Sequence, residues 1–314
     1  MIKTLEQAIK QPLSWFLILM LLVCFSGTAN AQLKVITTTQ DIASLVQAVG
    51  KGLVEVESLT QGYQDTHFVQ AKPSLMLKMN RADLLIYQGL ELEVGWLPLL
   101  LQGARNADIQ LGKHGNLDLS LAIDPIEVPQ GKLDRSMGDV HAFGNPHYML
   151  DPGNIKPIVY FIADHLSKLL PAQAAQIKSN RKQFINRFEP KLKEWKDQMA
   201  PFADTPVVTY HRTWSYFLRY FHLTHIGTVE PKPGIQPSPS HLSDLAQTMK
   251  EKNVHLILHA IYYQDKFSKL LAGKSGARVL TLPPSVGGVP EASDTIKLFD
   301  YLVNQITRAL SSNE

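Results

Sequence analysis

Cysteine is almost absent from this 314-residue chain, and its scarcity excludes disulfide-based and thiolate-based architectures. The one cysteine, Cys24, lies in an apolar run near the N-terminus, at residues 15–25. If that run is removed on secretion, the mature chain has neither disulfides nor thiolate metal ligands. Lipidation of Cys24 is disfavoured because Val23 precedes it, where glycine or alanine is expected.

Apolar runs of membrane-spanning length are lacking as well. The run at residues 15–25 has eleven residues, whereas a transmembrane helix needs about 20. Lys3 and Lys10 precede this run, and residues 29–31 after it read Ala-Asn-Ala, an A-x-A cleavage site. A charged start, an apolar centre and a small-residue end predict a signal peptide at residues 1–31, and therefore a soluble periplasmic protein.

A strong charge bias is the third feature that the sequence does not have. The formal net charge is +3, and the Lys and Arg residues are dispersed, so nothing indicates nucleic-acid binding. About 280 residues remain after cleavage of the signal peptide, which is more than one core comfortably holds. We therefore expect two lobes.

Short β-rich runs alternate with helical patterns on both sides of a helical middle. Strands are predicted at residues 33–38, 54–56, 83–87, 108–111, 206–210, 226–229, 255–259 and 278–282. Helices are predicted at residues 41–49, 74–80, 96–102, 154–170, 171–199, 214–221, 240–252 and 294–310. Strands separated by helices imply crossover connections. The predicted fold is α/β, with a small parallel sheet flanked by helices in each lobe and one long helix joining the lobes.

The helical middle sets the expected domain boundaries. Residues 32–153 should form an N-terminal metal-binding lobe, residues 154–204 a helical connector and residues 205–314 a C-terminal metal-binding lobe. Pro190 lies within the second long helical pattern and predicts a kink or a break there. Ser240 is the expected cap of the helix that follows the Pro-rich loop.

Three histidines occupy loops that follow strands or precede helices. His67 comes after the second predicted strand, His147 comes just before the middle helices, and His211 directly follows the strand at residues 206–210. Ligands of open α/β sheets bind at the carboxyl ends of strands, and neutral imidazole suits zinc, copper, nickel and iron. A lone loop histidine is more often an ordinary surface residue, and no compact zinc motif is present. The residues alone therefore indicate a two-lobed binder with candidate histidine ligands.

A resemblance to a known family takes the interpretation further. It rests on five segments in order along the chain: residues 65–67 (Asp-Thr-His), 138–141 (Gly-Asp-Val-His), 144–152 (Gly-Asn-Pro-His-Tyr-Met-Leu-Asp-Pro), 230–241 and 282–288. The chain resembles the cluster A-I family of metal-specific solute-binding proteins of ABC importers, the zinc and manganese group. That resemblance implies two lobes joined by a rigid helix, an ion held between them, no enzymatic activity, and delivery of the ion to a permease in the inner membrane by a monomer.

The same resemblance implies the ligands. His67, His147 and His211 match the family's first three ligands, and manganese-binding members usually have a glutamate where His211 stands. A histidine there favours Zn²⁺. Many relatives supply an aspartate as fourth ligand, but Pro284 occupies that position. The candidates for the fourth ligand are water, Glu291, Asp294 and His259.

The sequence alone leaves open the roles of two residues and several rival functions. His141 lies six residues before His147 and could donate a hydrogen bond to a ligand, act as an entry ligand for the ion or have a structural role in a Gly-rich loop. Asp65 could pair with a ligand histidine. The rival functions are a manganese or iron importer component, a secreted zinc hydrolase with three histidines and an open position, and a surface adhesin. Metal affinity should fall below about pH 6.5, where free histidine protonates.

Overall fold

Two parallel four-stranded sheets form the framework of the molecule. The structure, a computed structural model, describes residues 32–131, 138 and 141–311, so the predicted signal peptide lies outside the described residues. The first sheet has the order β2-β1-β3-β4 and the second β6-β5-β7-β8. The strands are β1 Leu33–Thr37, β2 Val54–Ser58, β3 Leu84–Tyr87, β4 Asn116–Asp118, β5 Pro206–Thr209, β6 Thr224–Thr228, β7 Leu256–Ala260 and β8 Arg278–Leu282. The predicted fold class is confirmed.

Helices cover and connect the sheets. They are α1 Gln40–Val49, α2 Pro73–Asn80, α3 Leu97–Ala104, α4 Pro152–Leu169, α5 Ala174–Met199, α6 Ser215–Tyr220, α7 Pro239–Glu251, α8 Lys266–Ser275 and α9 Thr295–Ser311. In the described part of the chain, none of them has both the length and the apolar character needed to cross a membrane.

Helix α1 shows how the sequence dictates the packing. The Thr39 side chain caps its first turn by accepting a hydrogen bond from the Ile42 amide, as N-cap threonines do. Ile42, Leu45, Val46 and Val49 follow at helical spacing and are fully buried. Each such side chain contributes roughly 1.5–3 kcal/mol when it leaves water, so this face fixes α1 against the core.

One apolar core joins the two sheets. Val35 and Ile86 of the first sheet belong to the same buried cluster as Val207 and Leu258 of the second. Phe188 of the long helix α5 lies in that cluster too. The lobes are therefore positioned by close-packed side chains and not by a flexible linker alone.

The long helix α5 is tied to both halves of the molecule. Its Asn180 side chain donates a hydrogen bond to the Val49 carbonyl at 2.9 Å, and the Trp195 ring donates one to Asp300 of α9 at 2.9 Å. The helix continues through Pro190 to Met199, so of the predicted kink or break the break is wrong, and the kink stays a prediction. Apolar anchoring on both sides of Pro190 keeps the helix intact despite the missing hydrogen bond.

Three further local predictions differ from the structure. Residues 108–111 form turns and not a strand, because the Asn106 and Asn116 side chains donate hydrogen bonds to the Ala82 and Ile109 carbonyls. The strand β4 begins later in the chain. Helix α8 was not predicted. Ser238, and not Ser240, caps α7 by accepting a hydrogen bond from the His241 amide at 3.1 Å.

Candidate metal centre

The structure brings His67, His147 and His211 together. One ring nitrogen of each histidine lies within 4.8 Å of the corresponding atoms of the other two. The ring centroids are 5.1 Å apart for His67 and His147, 5.6 Å for His67 and His211, and 5.4 Å for His147 and His211. Rings that share a tetrahedral zinc have centroids about 5 Å apart, because each metal–nitrogen bond is about 2.0–2.1 Å. Small side-chain adjustments would therefore let all three bind one ion.

Carboxylates orient two of the three rings. His67 Nδ1 donates to Asp65 Oδ1 at 2.7 Å, and His211 Nδ1 donates to Glu230 Oε2 at 3.0 Å. A proton held on Nδ1 leaves Nε2 as the ligating atom, which is the arrangement that metal-binding histidines usually have. The pairing of Asp65 with His67 was one of the readings left open by the sequence.

The role of Glu230 was missed. Its amide donates to the Tyr210 carbonyl at 3.0 Å, continuing the pairing of β5 with β6 beyond the strand ends. That register sets the Glu230 side chain beside His211, 19 residues away in sequence. A carboxylate directly after a strand that neighbours the ligand's own strand is the signal that could have found it.

Backbone contacts hold the ligand loops in place. The amide of His67 donates to Asp65 Oδ1 at 3.0 Å, and the amide of His147 donates to Asn145 Oδ1 at 2.9 Å. The Trp96 ring adds a hydrogen bond to the Thr66 carbonyl at 2.8 Å. The two N-terminal ligands therefore sit in local turns of the kind that Asx side chains form.

The electrostatics keep His147 in its ligating form. Burial lowers the pKa of His147 well below its ordinary value, and the neighbouring His67, His211 and His141 lower it further. Burial raises the pKa of Asp65, but the hydrogen bonds and charge interaction with His67, together with the charge interaction with His211, outweigh burial and leave this pKa below its ordinary value. A neutral imidazole and an ionised carboxylate are the states that bind and support a cation.

The Nε2 atoms of His67 and His147 have no hydrogen-bond partner in the part of the chain that the structure describes, although both atoms are buried. Leaving a buried polar atom unpaired costs about 1–3 kcal/mol. A bound cation would satisfy both atoms at once, so the donor set fits a metal ion.

None of the protein groups considered for a fourth ligand joins this cluster. Pro284 lines a cavity of about 40 Å³ together with Asp65, His67 and His147. Asp294 Oδ1 accepts from the Lys297 amide at the start of α9. Glu291 is exposed.

His259 is a packing residue of the second sheet. Its ring nitrogens are paired with the Ser268 hydroxyl at 2.9 Å and the Tyr263 carbonyl at 3.1 Å. Its ring also meets the Tyr210 ring, with centroids 5.0 Å apart. Both nitrogens are thus engaged within the second lobe, and neither is left for a metal ion.

A larger cavity of about 430 Å³ borders the site on the side of His141. His141, His147 and His211 line it, together with Glu127 and Arg212. The ring of His141 lies 5.3 Å from that of His67. Burial, with repulsion from His67 and His211, lowers the pKa of His141 to about 3. This fourth imidazole is neutral at physiological pH.

Two parallel sheets bridged by a long helix, with histidines of both halves meeting between them, define a metal-binding solute-binding protein. Sequence comparison agrees: the profile of the family described as ZnuA, periplasmic zinc-uptake complex component A, matches residues 35–309. The chain belongs to that family. Its members are periplasmic metal-binding components of ABC importers and are transport proteins.

Individual relatives are distant and differ in metal. The chain is 22% identical to the high-affinity zinc uptake system protein ZnuA of Yersinia pestis, over 89% of this chain and 92% of that one. It is 24% identical to the manganese ABC transporter substrate-binding lipoprotein PsaA of Streptococcus mitis, over 76% of each chain. A crystal structure of ZnuA superposes with a TM-score of 0.74 at 24% identity, covering 89% of this chain and 99% of that one.

Proposed function

We propose that this protein captures Zn²⁺ in the periplasm through His67, His147 and His211, and delivers it as a monomer to the permease of an inner-membrane ABC importer. The observation that carries the proposal is the convergence of three ring nitrogens within 4.8 Å, two of the rings being backed by carboxylates.

The donor set supports zinc over manganese. Imidazole nitrogen suits zinc, copper and nickel, whereas manganese prefers carboxylate and water oxygen. Two carboxylates of the site, Asp65 and Glu230, are paired with ring nitrogens of the ligands and so orient those rings. The relatives include both zinc and manganese proteins, so the donor chemistry and not the resemblance supports zinc.

The same three-histidine arrangement would suit a hydrolytic zinc site, which also needs a general base beside the metal-bound water. Asp65 and Glu230 are committed to ligand rings, and this favours transport. Ester or peptide hydrolysis by the zinc-loaded protein would revive the hydrolase. Display on intact cells would support an adhesin.

Competition with chelators of known affinity tests the proposal. The metal-stripped protein should bind one zinc ion tightly and prefer it to manganese at equal free concentration. His67→Ala, His147→Ala and His211→Ala should each weaken zinc binding by more than about 100-fold, since each removes a direct ligand. His255→Ala, at an exposed histidine, is the matched control and should bind like the wild type. Undiminished affinity in His67→Ala would refute the assignment.

A further inference from the structure

His141 shares the property that marks two of the three proposed ligands. Its Nε2 atom is buried and lacks a hydrogen-bond partner among the described residues, as do the Nε2 atoms of His67 and His147. An unpaired buried nitrogen is costly. An ion at the three-histidine centre accounts for two of these atoms, and the third requires an explanation of its own.

The position of His141 supplies that explanation. Its ring centroid is 5.3 Å from that of His67, within the range of 5.1–5.6 Å that separates the three proposed ligands. It also lines the 430 Å³ cavity together with His147 and His211. His141 therefore belongs to the same imidazole cluster, although it lies outside the set whose nitrogens are mutually within 4.8 Å.

Two described residues near His141, Gly138 and Ala142, contact different halves of the molecule. The amide of Ala142 donates to Glu91 Oε2 at 2.6 Å in the first lobe. Gly138 packs so closely against the Pro233 carbonyl of the second lobe that a Cβ atom would overlap it. Glu91 itself has a positive φ of 65°, a conformation that non-glycine residues adopt at some cost and commonly near functional sites.

For His141 Nε2 to bind the same ion it must come closer to the other three nitrogens, and an imidazole moves in this way by turning between staggered rotamers. The neighbouring cavity of 430 Å³ gives the ring room to turn.

We propose that His141 is the fourth ligand of the captured ion, so that the loaded site holds four imidazole nitrogens. This inference rests on the proposed function. If His141 is the fourth ligand, Pro284 has no part in coordination. The preference for zinc over manganese also increases, since a site of nitrogen donors alone disfavours manganese.

X-ray absorption spectroscopy of the zinc-loaded full-length mature protein is the direct test. The wild type should show four nitrogen neighbours at about 2.0 Å with the outer-shell scattering of four imidazoles. His141→Ala should show three imidazoles and one oxygen. Three imidazoles and one oxygen in the wild type would overturn the proposal without any variant being needed.

Affinity and selectivity give a second readout. His141→Ala and His141→Gln should weaken zinc binding by about 10-fold to 100-fold and narrow the preference for zinc over manganese, while His255→Ala changes neither. The two proposals can fail separately. If His67→Ala loses zinc and His141→Ala does not, only the fourth ligand is refuted. If neither variant loses zinc, the three-histidine site is wrong as well.

Discussion

Replacing Glu230 by glutamine tests whether the carboxylates behind the ligands contribute to metal binding. Glu230 Oε2 accepts from His211 Nδ1 at 3.0 Å, and the glutamate is only 8% exposed. Glu230→Gln keeps the size of the side chain and its capacity to accept a hydrogen bond, but it removes the negative charge that makes His211 a stronger donor to the ion.

The expected loss follows from the low exposure of the pair. Outer-sphere partners of metal-ligating histidines are worth 10-fold to 100-fold in affinity, or about 1.4–2.7 kcal/mol. Glu230→Gln should fall in that range. Asp65→Asn is a less clean probe, because Asp65 Oδ1 also accepts from the His67 amide and so shapes the loop itself.

Chelator competition at fixed pH measures the effect, with circular dichroism to verify folding. Glu189→Gln is the control, because Glu189 makes an exposed ion pair with Lys156 far from the histidines in the sequence. Its zinc affinity should equal that of the wild type. A folded Glu230→Gln protein with wild-type affinity would show that the carboxylate only fills space, and the reasoning on ligand basicity would be wrong.

Two stability predictions follow from groups outside the ligand set. Burial, opposed by hydrogen bonds from Thr38 and the Gln88 and Gly89 amides, raises the pKa of Glu93 from 4.5 to about 7. The folded state therefore binds this proton more tightly than the unfolded state. Relative to Glu93→Gln, the wild type should lose up to about 3 kcal/mol of unfolding free energy between pH 4.5 and 8, and a pH-independent difference in urea titrations would contradict this. Gly62→Ala would push a Cβ atom into the Val286 carbonyl and should cost about 1–3 kcal/mol, whereas Gly273→Ala, with open space around it, should cost nothing; equal melting temperatures for the two variants would refute the close contact.

The elements that could be predicted from the sequence are those whose signal is local. The β-rich run at β1 and the helical spacing of Ile42, Leu45 and Val46 in α1 need no distant partner to be recognised. The break expected at Pro190 failed because anchoring by Phe188 and Trp195 is a tertiary effect, which overrides the local cost of proline.

The residues of the site also fall into two groups: those that the sequence indicates and those that only the fold brings together. Loop position and family resemblance singled out His67, His147 and His211, and the structure places them together. The role of Glu230 as the partner of the His211 ring depends on the pairing of β5 with β6. No spacing in the sequence encodes that pairing. His141 belongs to one of the five segments that carry the family resemblance. Only its buried nitrogen, which lacks a partner among the described residues, distinguishes it from an ordinary loop residue.

The candidates for the fourth ligand can be reduced by identifying which cavity beside the site still offers a metal-ligating atom. The small cavity beside Pro284 contains two carboxylates, Asp41 and Asp65. Asp41 accepts hydrogen bonds from the Ser285 hydroxyl and the Val286 amide across the lobes, and Asp65 is paired with His67. The proline side chain has no donor atom, so this cavity has room for water, and both of its carboxylates are already hydrogen-bonded. His141, which lines the larger cavity, has a buried nitrogen without a partner among the described residues. We therefore expect His141, and not a side chain at position 284, to supply the fourth ligand.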